Sequence, residues 1–184
     1  MKPLTDDEQR QLGPALLHLR IVVFALCFGV SIFAGFSIYQ KIPLQPAAPQ
    51  PWQELLKPPP AIKPLHIGAL LFAGAAAALA FTVPPFLGGP KPKSSADRDS
   101  AIRQAAEIVH RRTVIACALL DGAAFLNIFC YFTDANSYNL AMSAILLLLL
   151  LLQFPMRGSY MNKIERIMGI DPFESQYASV NGDL

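Results

Sequence analysis

The chain has 184 residues, 53% of them hydrophobic and 15% charged. Water-soluble domains carry about 25% charged residues, so this composition excludes an ordinary soluble protein and makes lipid the expected solvent. The formal net charge of +2 is too small for a protein held on phosphate backbones, and no nucleic-acid partner is expected.

Residues 1–14 read as a polar cap. Thr5 and Glu8 match a capping box, in which each side chain satisfies the other's open backbone donor. A short helix to Leu12 would end at Gly13, and Pro14 suits the first turn of the next helix. The stretch from Lys2 to His18 is long and mixed in charge, unlike a signal peptide, so the apolar run behind it is read as a span. This first span covers 15–39. Arg20 and Lys41 bracket its apolar core and have stems long enough to snorkel. Ala25 with Gly29, and Ser31 with Gly35, are small-x-x-x-small pairs that permit close helix contact.

Residues 40–64 carry eight prolines, a density that excludes helix and favours an extended outer loop. Trp52, Leu55 and Leu56 would touch the headgroup region from it. The second span, 65–83, is rich in small residues, including Gly68, Ala73, Gly74 and Ala77. A helix with so little bulk gains most by packing backbone on backbone, which places it inside the bundle. Pro84, Pro85 and the Gly88-Gly89-Pro90 turn end it.

The loop 84–112 holds six of the fifteen Lys and Arg residues. Ser94 and Asp97 read as a second capping box. Ile102, Ala105, Ala106 and Val109 form an amphipathic helix stripe expected to run with little break into the third span, 113–132. A turn at Asp134 to Ser137 leads to the fourth span, 140–154. Its unbroken run Leu146 to Leu152 suits a lipid-facing outer helix, and Pro155 ends it. Tyr160, Met161, Ile164, Ile167 and Met168 then share one face, with Lys163, Glu165 and Arg166 opposite, the pattern of an interfacial helix. The tail from Asp171 is polar.

Twelve Lys and Arg residues fall on one side of this layout and three on the other. The positive-inside rule then puts both termini and the basic loop in the cytoplasm, as expected of an inner-membrane protein with four spans.

Asp121 is the one acid within the spans. It lies eight residues past Thr113, about 12 Å along a helix rising ~1.5 Å per residue. In a hydrocarbon core of about 30 Å that is close to the midplane. A charge there costs at least ~2.5–3.5 kcal/mol. Its face carries Val114, Cys117, Ala118, Ala124, Phe125 and Ile128, and no Lys or Arg lies at that depth to pair with it. Three roles follow: a neutral acid hydrogen-bonding between helices, a carboxylate that exchanges protons, or an acid facing a water pocket or a partner's Arg.

The three histidines, His18, His66 and His110, fall near the span ends, and no two share a helix at a metal-binding spacing. A haem between His18 and His110 is one reading, and interfacial anchoring the other. Cys27, Cys117 and Cys130 lie in apolar segments with no C-x-x-C pair, as small fillers do. The sequence contains no Walker loop, nucleophile elbow, H-E-x-x-H or dinucleotide fingerprint, so neither enzymatic activity nor cofactor nor metal is expected.

The run Arg112, Thr113, apolar residues to Leu120, Asp121, Gly122, Ala123 resembles the carboxylate helix of the rotary ATP synthase proteolipid, subunit c. Helices of that family read Arg-Thr, apolar residues, Ala-Leu, a variable residue, Glu or Asp, then Ala. The Gly/Ala-rich second span is similar to the helix that precedes it there. Arg103-Gln104 falls where the family's loop carries Arg-Gln-Pro, with Ala105 in place of the proline. The resemblance implies that Asp121 binds a proton or sodium ion. The whole pattern also resembles small bacterial four-span membrane proteins, which implies no activity.

The expectation is therefore an all-α, single-domain, polytopic membrane protein over 1–184. It has four spans, a cytoplasmic amphipathic helix leading into the third and a C-terminal interfacial helix. Its leading role is a non-catalytic subunit or scaffold in the lipid bilayer, packing with itself or with other membrane proteins. The expected packing positions are Gly29, Gly35, Gly68, Ala73, Gly74, Ala77 and Gly122. The runner-up is a proton- or ion-handling subunit built on Asp121.

Overall fold

The computed structural model describes residues 4–41, 63–83, 97–135 and 137–169. All regular structure among them is helical: α1 (Asp6–Gln11), α2 (Gly13–Lys41), α3 (Pro64–Thr82), α4 (Arg98–Asp134), α5 (Ser137–Leu152) and α6 (Arg157–Met168). The anticipated loop at 42–62 with Trp52, the Pro84–Ser94 turn and the tail past Gly169 lie outside the described residues.

Local chemistry sets the helix ends. Thr5 Oγ1 accepts from Glu8 N, and Glu8 Oε2 accepts from Thr5 N at 2.7 Å, so the expected capping box starts α1. Proline opens α3, where its missing N–H costs nothing. Ala135 closes α4 in the left-handed conformation, φ 55°, and lets the chain double back into α5. The amphipathic 98–112 stretch and the third span form one helix of 37 residues, about 55 Å long.

The run through α1 and α2, α3, and α4 are each long and apolar enough to cross a membrane. α5 and α6, bent by 69° at the break between them, make a fourth candidate if taken together. α2 and α4 run parallel, since His18 meets His110 at one end and Phe36 meets Phe132 at the other. α3 and α5 run antiparallel to them.

The bundle is centred on α4, which packs against α2, α3, α5 and α6. This corrects the expectation that α3 lies inside. α3 buries one stripe, Ala69, Ala73, Ala76 and Ala80, while Leu65, Ile67, Leu71, Phe72 and Phe81 on its other side are exposed. Its small residues bring its backbone close to α4 on one side only. The leucine run of α5 divides likewise: Leu146 and Leu150 are buried, while Leu148, Leu151 and Leu152 face out, as a period of about 3.6 residues requires.

Two apolar cores result. The larger joins Val23, Cys27 and Val30 of α2, the alanines of α3, Ala116 to Ile128 of α4, and Leu146 and Leu150 of α5. The second lies at the end where α2 and α4 begin. It gathers Leu4, Leu12, Leu16, Leu19, Ile102, Ala105, Val109, Tyr160, Met161 and Ile164. The apolar face of α6, expected to rest on lipid, is therefore largely covered by protein. The cause is the 69° bend, which folds α6 back across the start of α2 and α4.

Polar ties hold this second core. Leu4 N donates to the buried Glu165 Oε1 at 3.2 Å. Arg98 donates to both carboxylate oxygens of Glu8, at 2.6 and 3.1 Å. That pairing holds the Glu8 carboxyl below the usual range and raises Arg98. Arg20, expected to snorkel, instead donates from Nε to Pro155 O at 3.1 Å and pins the break before α6.

Candidate functional site

Asp121 sits on α4 one turn before Phe125, which lies against Gly29 of α2; an added Cβ on Gly29 would meet Phe125 Cζ at 3.7 Å. The aspartate is half-buried, and its Oδ1 is enclosed without a hydrogen-bond partner. No basic side chain of the described residues bonds or pairs with it. Among the described residues it makes no hydrogen bond to another helix.

The packing positions divide. Ala73 is fully buried, Ala77 packs against the larger core, and Gly29 meets Phe125. At Gly35, Gly68, Gly74 and Gly122 an added Cβ would meet nothing within 4 Å, so these four make no close helix contact within the described residues. They lie on outward faces of their helices.

The hydrogen bonds that tie helices together lie elsewhere. Asn127 is fully buried on α4 between α3 and α5. Its amide donates to Ala69 O of α3 at 3.2 Å and to Ala123 O in its own helix at 2.9 Å. Its Oδ1 accepts from Asn139 Nδ2 of α5 at 2.8 Å. One turn on, Ser143 Oγ reaches Asn139 O at 2.8 Å and Ala124 O at 3.4 Å. Sequence reading missed this chain of bonds. The available signal was two asparagines in otherwise apolar helix, where a polar amide requires partners.

The same stack ends in charge. His66, on the first turn of α3, is fully buried. Its Nδ1 accepts the backbone N–H of Lys63 at 3.3 Å, which puts the proton of the neutral ring on Nε2. Nε2 lies 3.2 Å from Asp134 Oδ2, off the line of a good hydrogen bond. Lys63 Nζ donates to Asp134 Oδ1. The carboxylate thus faces the positive N-terminal end of α3 and clasps the start of α3 to the end of α4. His66 is thus enclosed within the protein beside Asp134 rather than open to the membrane interface.

His18 and His110 are brought together at the opposite end, but as stacked rings with centroids 5.5 Å apart and planes within 6°. Faces meet rather than ring nitrogens, which does not fit two axial ligands of one iron. Among the described residues no group of three or more His, Cys, Asp or Glu is placed to hold a metal, and the three cysteines are free and buried.

No protein-family model matches the chain, and no curated protein or solved structure matches it either.

Proposed function

We propose that this protein is a non-catalytic, multi-pass subunit or scaffold of the bacterial inner membrane that packs with itself or with partner membrane proteins. The observation that carries the reading is Asp121. An enclosed carboxyl oxygen near the membrane midplane has no partner among the described residues, and a polar atom left unsatisfied in hydrocarbon costs several kcal/mol. Asp121 is only half-buried, and the open part of its carboxyl could take a donor from a neighbouring chain. Gly35, Gly68, Gly74 and Gly122, open on outward faces, would let such a chain come close. The in-chain polar bonds among Asn127, Asn139 and Ser143 join helices, the work of a scaffold. Both termini belong in the cytoplasm on this reading. The end holding the second core carries Arg98, Arg103, Arg111, Lys163 and Arg166, and the other end carries Lys41 and Lys63.

The same unpartnered oxygen supports a second reading, a proton- or ion-handling subunit with a proteolipid-like carboxylate at Asp121. Two variants separate them. Asp121→Asn keeps shape and hydrogen-bonding capacity, and Asp121→Leu removes both. For a packing subunit, native gels in mild detergent show an assembly larger than one chain, kept by Asn and weakened by Leu. A single chain in every mild detergent, with carbodiimide labelling of the wild type that falls as pH rises, overturns the scaffold in favour of proton exchange.

A further inference from the structure

A cavity of about 330 Å³ opens where the end of α3, the middle of α4 and the bent α5–α6 pair meet. Three cations line it: Arg112 from α4, and Lys163 and Arg166 from one face of α6. Among the described residues no acidic side chain lines it. The one acid of α6, Glu165, points the other way and is held by Leu4 N. Lys163 and Arg166 are exposed and form no ion pair among the described residues. Gln153, in the break between α5 and α6, adds an amide. The rest of the wall is apolar, and Phe81 carries it onto the exposed side of α3.

Depth decides what belongs there. Arg112 lies nine residues before Asp121 on the same straight helix, about 13 Å nearer the basic end. With Asp121 near the midplane of a core about 30 Å thick, the cavity sits at the hydrocarbon edge, at the level of lipid headgroups. We infer that this cavity is a binding site for the phosphate of an anionic phospholipid, with an acyl chain lying along Phe81. A planar guanidinium holds two phosphate oxygens at once, and an ammonium adds a point charge. The volume falls within the usual range for small-molecule sites, about 300–1,000 Å³. A zwitterionic choline lipid would bring its own quaternary ammonium against three cations and bind less well. Free phosphate shares the headgroup chemistry but has nothing to lay on the apolar wall.

The test uses the full chain purified in neutral detergent and exposed to phosphatidylglycerol, phosphatidylcholine or inorganic phosphate, read by native mass spectrometry and thermal unfolding. The wild type is expected to retain one phosphatidylglycerol in preference to phosphatidylcholine and to unfold at a higher temperature with it. Lys163→Gln with Arg166→Gln changes two exposed side chains and is expected to reduce that preference roughly thirtyfold, since each basic group near an anionic headgroup contributes about fivefold. Arg10→Gln with Arg103→Gln removes the same charge away from the cavity and is expected to leave it unchanged. Equal retention of both lipids, or an equal loss in the two double variants, overturns the inference. So does protection by inorganic phosphate as strong as by phosphatidylglycerol, which would mark an anion site with no lipid specificity.

Discussion

Asn127 gives its carbonyl oxygen to one neighbouring helix and its amide protons to another and to its own turn. Interhelical hydrogen bonds in membranes average only about 0.6 kcal/mol each. Removing this amide breaks two of them and leaves Asn139 Nδ2 without an acceptor, and a buried orphan costs more than a lost bond. Asn127→Ala is therefore expected to destabilise the protein by about 1–2 kcal/mol, measured by reversible unfolding in mixed micelles. Ser143→Ala should cost less, because its shorter bond stays within its own helix and its 3.4 Å contact to Ala124 O is long. Sequence drew attention to Asp121 because charge in an apolar run stands out. It passed over Asn127 because one neutral amide scarcely changes the hydropathy of its neighbourhood. Which polar side chain finds a partner depends on what the adjacent helix presents at that level, and one strand of sequence does not contain that.

At the scale of the helix, α3 shows what composition alone leaves open. Ala73 and Gly74 are neighbours in sequence and similar in size, yet one is fully buried and the other faces open space. Ala73→Leu is expected to force α3 from α4 at a cost of about 1–3 kcal/mol. Gly74→Leu should leave the stability of the single chain unchanged or raise it, since helix propensity favours leucine. Thermal unfolding of the two variants in one detergent checks this, and equal losses would contradict the packing described. The helices themselves were legible, because prolines and glycines set their ends and the apolar runs set their lengths. The buried face of α3 was not, because small residues lie all around it and no period distinguishes one side. The covered face of α6 was hidden for another reason: an amphipathic stripe looks the same whether lipid or protein lies beneath it.

For the whole molecule, α4 is a single rod that belongs to both cores. It brings the start of α1, the start of α4 and all of α6 to one end, where the basic residues also collect. Reporter fusions within residues 84–97 and after Gly169 are expected to report the cytoplasm, and fusions within 44–56 and at Ala135 the opposite side. An inner signal from 44–56 would contradict the four-span arrangement. Span positions and charge asymmetry were readable along the chain. The closure of the second core was not, because it joins residues 161 apart in sequence.

That closure has a consequence for how the protein is made. Leu4 leaves the ribosome early, and its acceptor Glu165 comes only after every other described helix has been synthesised. Until then Leu12, Leu16, Leu19 and Ile102 lack the covering from Tyr160, Met161 and Ile164. A chain halted after Leu152 would therefore leave that apolar surface open, and a chain extended through Met168 covers it.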